Sequence, residues 1–322
     1  MKDHDSATDD TPIALGGLGL AGLGVLAFSL TLPSTAVALE GLDPYLIGIG
    51  RSAAAAVFAA IALAAVRARV PARAHWPGLL VVAAGVIFGF PLLSTLALDH
   101  GSSSAHAAVV VGLLPAATAV LAVLRGGERP SPAFWAAAAA GAALVTGFAL
   151  LQGAGRLTGA DLLLFASLVA AAAGYAEGGR LARVMPGWRV ISWALLLAAP
   201  ICVPVTIWLL ATTGPDWTGR TAPGFGYVTV MSAYLGFFAW YEGLARAGIA
   251  RASQVQLAQP LLTIVWSGIL LAELIDAATA LAAAGVLVCV ALAQRARVRT
   301  VAPPLAACDV LPQAGKERVT RT

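Results

Sequence analysis

The sequence predicts an all-α integral membrane protein of ten transmembrane helices, arranged as two inverted-topology repeats of five. Three observations carry that prediction. Of 322 residues, 59% are hydrophobic and only 11% are charged, against about 25% charged in a soluble domain. Seventeen of the 20 Lys and Arg residues fall in alternate segments between apolar runs. Residues 105–128 also match residues 250–273 at a constant offset of 145, with seven identities that include Pro115/Pro260, Thr118/Thr263 and Glu128/Glu273.

A helix crosses the hydrocarbon core in about 20 residues. Apolar stretches of that order run over 13–38, 44–66, 76–98, 102–124 and 132–154, then over 160–182, 190–212, 222–244, 249–271 and 276–294. Gly, Pro and Asp mark the short connections, as in Gly41-Leu42-Asp43-Pro44 and Gly214-Pro215-Asp216. The 34 glycines and the alanine run 136–140 suit helices that approach closely in lipid. Residues 1–12 form an acidic cytoplasmic tail, with four Asp against Lys2. That is the wrong sign for a signal peptide, so the first apolar run is expected to remain as a span. The repeats occupy 13–154 and 160–295, and 296–322 reads as a disordered cytoplasmic tail.

Orientation follows from the basic residues. With the N-terminus in the cytoplasm, only Arg51, Arg156 and Arg220 lie outside or near the outer face. Both termini are then cytoplasmic. Arg125 and Arg129 follow the first copy of the repeat, whereas no basic residue follows the second before residue 277. The helix pattern repeats while the charge bias reverses. Inverted repeats of this kind are common in secondary transporters.

The run Phe90-Pro-Leu-Leu-Ser-Thr-Leu-Ala-Leu is followed by Ala105-His-Ala-Ala, Pro115 and Gly127-Glu128-Arg129. Phe237-Phe-Ala-Trp-Tyr-Glu-Gly-Leu-Ala, Ala252-Ser, Pro260 and Ala272-Glu273 repeat that order. In these runs the chain resembles the ten-span EamA family of the drug/metabolite transporter superfamily, over about residues 13–295. The resemblance implies small-molecule transport, often export, across a bacterial plasma membrane. Arg51 sits where that family often places an arginine. Pro33 and Ser34 depart from it, standing where many relatives carry a bulkier stretch.

Ionisable groups inside spans are functional candidates, with local pairing as the alternative. Glu177 has Arg180 three residues on and Glu242 has Arg246 four on, so local ion pairs account for both. Arg51 lies ~12 Å into the second span with no partner on its own helix. Its mate is expected from another helix, from Glu40 or Asp43, or from an anionic substrate group. In the ninth span Ser253, Gln256, Pro260, Thr263 and Ser267 share one helical stripe, with Gln259 beside it. That stripe reads as cavity lining. Tyr227, Tyr234 and Tyr241 recur at heptad spacing; the outer two fit interfacial belts, and Tyr234 reads as a cavity residue. Ser94 is a further cavity candidate, and His106 reads as an interfacial histidine, with a proton relay as the alternative. Pro115 and Pro260 mark helix breaks, each freeing a carbonyl four residues earlier.

The expected function is secondary transport of small metabolites such as amino acids or related compounds, with export the expected direction. Two inverted halves would rock about a midplane site built from spans 3, 4, 8 and 9 with 1 and 6. No phosphate-binding Gly-rich loop with Lys and Ser/Thr occurs, so a proton, another coupling ion or a solute gradient is the expected drive. No catalytic residues, cofactor, metal site or nucleic-acid partner is expected. The three cysteines form no motif. Homodimerisation stays open. An intramembrane enzyme is the competing class, with Gly101-Ser-Ser-Ser-Ala-His106 its nearest approach, although that stretch makes no nucleophile elbow. A flux-free sensor on a transport fold is the other.

Overall fold

The computed structural model describes residues 11–126, 129–152, 156–247, 255–295 and 298–299. Most of the two tails, Glu128, Arg251 and Ser253 lie outside the described residues. Among these residues the chain forms an all-α membrane fold of ten helical rods. The first, α1, runs over Thr11–Ser29 and resumes as Thr31–Leu39. Rods α2 (Leu46–Ala65) and α3 (Arg73–Asp99) follow, then α4, which is Ser104–Val111 continued by Leu114–Gly126. Next come α5 (Pro132–Gln152), α6 (Gly159–Leu181) and α7 (Gly187–Thr212). The last three are α8 (221–247), α9 (Ala258–Leu271) and α10 (Ala277–Arg295). A two-residue antiparallel pairing of Arg129–Pro130 with Val298–Arg299 ties the α4–α5 connection to the chain beyond α10.

Six described helices are long and apolar enough to cross a membrane: α1, α2, α3, α5, α6 and α7. Shorter apolar helices cover Ser104–Thr118, Ala258–Leu271 and Ala277–Leu292. Their outward faces carry large apolar side chains such as Phe58, Ile61, Ile207, Trp208, Ile269 and Leu281, each exposed by more than two fifths. Water would penalise such a surface; acyl chains do not.

The rods pack in pairs. The main partners are α1 with α8, α3 with α6, α2 with α7, and α5 with α10, while α4 packs chiefly on α6 and α9 chiefly on α1, and α4 and α9 also meet. Each pair joins a helix from the first half of the chain to one from the second. Small residues set the closest approaches. A Cβ on Gly24 would lie 2.9 Å from Cβ of Trp240, and one on Gly243 would lie 2.6 Å from the Ala21 nitrogen. In α3 and α6, a Cβ on Gly85 would run into the Ala170 carbonyl, and one on Gly174 into Val86. Substitution at these glycines would force the paired backbones apart.

Three rods contain π-helical turns, at Leu46–Gly50, Ala83–Gly89 and Val228–Leu235. Two prolines expose carbonyls that neighbouring helices then use. Pro33 cannot donate to the Ser29 carbonyl, and Thr263 Oγ1 of α9 donates to it instead at 2.8 Å. Pro91 likewise leaves the Ile87 carbonyl to Ser52 Oγ of α2, at 3.1 Å. Each break therefore becomes an inter-helix hydrogen bond.

Glu177 binds Arg180 at 2.5 Å, and Glu242 binds Arg246 at 2.8 Å, as their spacing predicts. The belt assignment of the outer tyrosines needs correction. Tyr241 is fully buried and packs where a Cβ on Gly178 would strike its ring. Tyr227 donates its hydroxyl to the Ala27 carbonyl at 3.0 Å. The Tyr241 side chain fills the groove that Gly178 and Gly187 leave, and Tyr227 ties α8 to α1.

Candidate functional site

Asp43 positions the start of α2: its Oδ1 accepts from the backbone N–H of Tyr45 and Leu46, at 2.9 and 3.1 Å. The π turn over Leu46–Gly50 follows, and Arg51 is the first residue after it. The Arg51 side chain enters the middle of the bundle and is 2% exposed. It lines a small cavity with Thr31, Tyr175, Ser232 and Gln259, walled by Phe28, Phe90 and Phe237. Thr31 and Ser232 join their hydroxyls at 2.7 Å across α1 and α8. Nε and Nη1 of Arg51 have no partner among the described residues.

The acidic mates expected near the loop are engaged elsewhere. Asp43 caps its own helix. Glu40 holds Arg220 through two contacts, at 2.9 and 2.8 Å, and these hydrogen bonds raise the pKa of that exposed guanidinium further.

A second small cavity adjoins the first through Gln259. Pro115 of α4 and Pro260 of α9 both line it, with Gln256, Gln259 and Thr263. Helical geometry lapses just before each proline, at 112–113 and at 256–257. The Gln256 carbonyl, which Pro260 cannot engage, accepts from the Gln259 N–H at 3.0 Å. The side-chain amide of Gln256, 2% exposed, has neither atom partnered, and Gln259 Oε1 also lacks a partner among the described residues. The two cavities offer about 20 and 10 Å³ for the centre of a water molecule, roughly one water each.

The ninth-helix stripe thus divides by role. Gln256 and Gln259 point unpaired groups into the middle. Thr263 lines the cavity yet spends its hydroxyl on Ser29, and Ser267 donates to Ser104 Oγ at 3.0 Å. Ser253 lies outside the described residues.

Other candidates sit elsewhere. Ser94 donates to the Phe90 carbonyl of its own helix at 2.6 Å. Tyr234 shares a hydrogen bond with Ser192 of α7 at 3.0 Å and packs edge-on against Phe238. His106 lies at one mouth of the bundle. Its Nε2 contacts Asp161 Oδ1 at 2.8 Å, and its ring stacks on Phe148. The carboxylate accepts, so the proton belongs on Nε2. Asp161 also accepts from the N–H and hydroxyl of Thr158 in a capping box. Close by, Glu273 accepts from the N–H groups of Ser104 and Ala105, both at 2.9 Å. His106, Thr158 and Asp161 line a polar vestibule of about 330 Å³.

Sequence reasoning missed Thr31, Tyr175, Ser232 and the Phe28/Phe90/Phe237 wall. Polar Thr31 and Ser232 inside apolar runs were the available signal; nothing local placed them opposite Arg51. A cleft of about 930 Å³ between α5 and α10 is lined by Leu, Phe, Ala and Gly and offers a polar solute nothing. Among the described residues no cluster of His, Cys, Asp or Glu could hold a metal.

A polar centre in a helical membrane bundle is what a solute carrier requires, and comparison with known proteins agrees. The EamA-like transporter family model matches twice, over residues 15–150 and 158–294. The chain belongs to the EamA-like transporter family. It is therefore a multi-pass membrane protein of a transporter family, in the drug/metabolite transporter superfamily, and not an enzyme. This EamA-like protein is 45% identical over 276 residues to the uncharacterized transporter YdeK of Bacillus subtilis (strain 168), covering 85% of the present chain and 95% of the relative. A chain of known crystal structure superposes with a TM-score of 0.61 at 21% identity, covering 88% of this chain and 96% of that one, which shows a common fold.

Proposed function

We propose that this EamA-like protein is a ten-span secondary exporter of small metabolites, such as amino acids or related compounds, in the bacterial plasma membrane. Both termini face the cytoplasm, and transport proceeds by alternating access. The observation that carries this reading is the set of buried, unpaired polar groups on Arg51, Gln256 and Gln259 at the centre of the bundle. An orphaned buried polar group costs about 1–3 kcal/mol, a burden the fold bears where a solute is to supply the partner.

Several features support an inverted repeat. Exchanging each rod for the one five places away converts the α1–α8 pair into α6–α3, and leaves α2–α7, α4–α9 and α5–α10 unchanged. The π turn beginning at Ala83 reappears at Val228, at the same offset of 145. Pro115 and Pro260, also 145 apart, line one cavity.

The pairing modifies the rocking motion expected from sequence. Each half is interlocked with the other, so the halves cannot move as separate bodies. The packing of α9 on α1 and of α4 on α6 groups α1, α8 and α9 opposite α3, α4 and α6. These mixed lobes are the bodies that part to admit a solute much larger than water. Cargo gradients or a coupling ion supply the drive.

The test is efflux from cells overexpressing the protein, in a resistance screen over amino acids and toxic analogues, followed by flux in proteoliposomes. Cargo-dependent flux is the expected result. No flux with any class would leave a sensor and sink the transport reading. Reporter fusions after residues 70 and 99 are expected on opposite sides of the membrane; the same side would remove the ten-span topology.

A further inference from the structure

We propose that the central site selects organic monoanions, taking a carboxylate on Arg51 and the apolar body of the cargo against Phe28, Phe90 and Phe237. This rests on the transport reading and narrows its cargo class. Arg51 is the only formally charged side chain among the described residues lining its cavity. It stays protonated in proteins, and Glu40 and Asp43 are committed to other partners.

The argument is one of net charge in a medium that solvates charge poorly. A lone buried cation is strongly disfavoured unless paired and hydrogen-bonded. Cargo of charge −1 makes the occluded complex neutral. A zwitterionic amino acid leaves +1, and an amine leaves +2 with like charges close together. The donors fit as well: Nε and Nη1 are left free, and each can give a carboxylate a charge-assisted hydrogen bond. Gln259 Oε1, also free, accepts from a neutral N–H or O–H on the cargo. The phenyl wall matches an aryl or branched aliphatic body. N-acylated amino acids and the 2-hydroxy acids derived from amino acids meet all three conditions; a 2-oxo acid lacks only the donor to Gln259, and the parent zwitterions lack the charge balance.

The experiment uses three probes with one benzyl body: phenylpyruvate, phenylalanine and phenethylamine. Binding to the purified full-length protein is read by thermal shift and titration, and flux is read separately in proteoliposomes. Phenylpyruvate is expected to bind roughly 10- to 100-fold more tightly than phenylalanine, the value of a charged hydrogen-bonded contact, and phenethylamine not at all. Arg51→Gln should abolish the preference, while Arg51→Lys keeps its sign with a smaller ratio. Arg51→Met should melt no lower than wild type without ligand, since it removes an unpaired buried charge.

Equal binding of the three probes, no binding of phenylpyruvate, or unchanged anion binding in Arg51→Gln overturns the proposal. An Arg51→Met protein that unfolds without ligand, while Arg51→Lys remains folded and shows no anion preference, also overturns it by making the arginine a structural anchor. Anion-selective binding without flux of any cargo would keep the site and defeat the transport reading. Flux of another class, indifferent to Arg51→Gln, would do the reverse.

Discussion

Polar groups at the mouth of the bundle and polar groups at its centre meet burial in opposite ways. At the mouth, Asp161 binds Thr158 and His106, and Glu273 binds the first N–H groups of α4. At the centre, Arg51 and the two glutamines have side-chain atoms without partners. Asp161 at the mouth is as buried as Arg51 at the centre, 3% and 2% exposed, so exposure does not separate these two; pairing does. Satisfied groups hold helices together, whereas unsatisfied ones keep hydrogen-bonding capacity free, and the proposed cargo site rests on that capacity.

Substitution should break the mouth and leave the centre standing. Glu273→Ala strands two N–H groups at the start of α4 and is expected to lower unfolding stability by about 3 kcal/mol, read by thermal melting in detergent. Asp161→Asn weakens the capping box and the His106 contact, with an expected loss of about 1–2 kcal/mol. If either variant melted like wild type, pairing at the mouth would not be structural. Gln256→Met and Gln259→Met should change the melting point little, within about 1 kcal/mol, while reducing cargo flux severalfold. A large melting loss with normal flux would reverse the comparison. The smallest effect belongs to the exposed Glu40–Arg220 pair: Arg220→Ala should leave both melting and flux unresolved from wild type, because solvent screens such pairs.

Much of this architecture was legible in the sequence because lipid leaves few options. Apolar length marks the rods, and the offset of 145 locates the two prolines that meet at one cavity. The local pairs Glu177–Arg180 and Glu242–Arg246 follow from helix geometry alone. What stayed hidden depends on which helix faces which. Tyr234 reads as a cavity residue until Ser192 of another rod occupies its hydroxyl. Thr263 and Gln256 look alike on one stripe, yet the freed Ser29 carbonyl claims only the threonine. His106 shows no partner within its own helix, since Asp161 arrives from α6. The π turns, which deliver Arg51 to the middle, leave no periodic signature in runs so uniformly apolar.

The cross-half pairing also sets a schedule for synthesis. α1 enters the bilayer before α8 exists, and the Gly17, Ala21 and Gly24 stretch of its α8-facing side meets acyl chains meanwhile at little penalty, whereas Thr31 waits for Ser232. Arg51 has a harder wait. At ~5–20 residues per second, the interval between making residue 51 and residue 237 is roughly 10–40 s. During that time a guanidinium waits without the Phe237 wall that later encloses it, between one and two turns from the start of α2. Completion of the second half supplies Tyr175, Ser232 and Phe237 around the charge, none of which gives it an anionic partner.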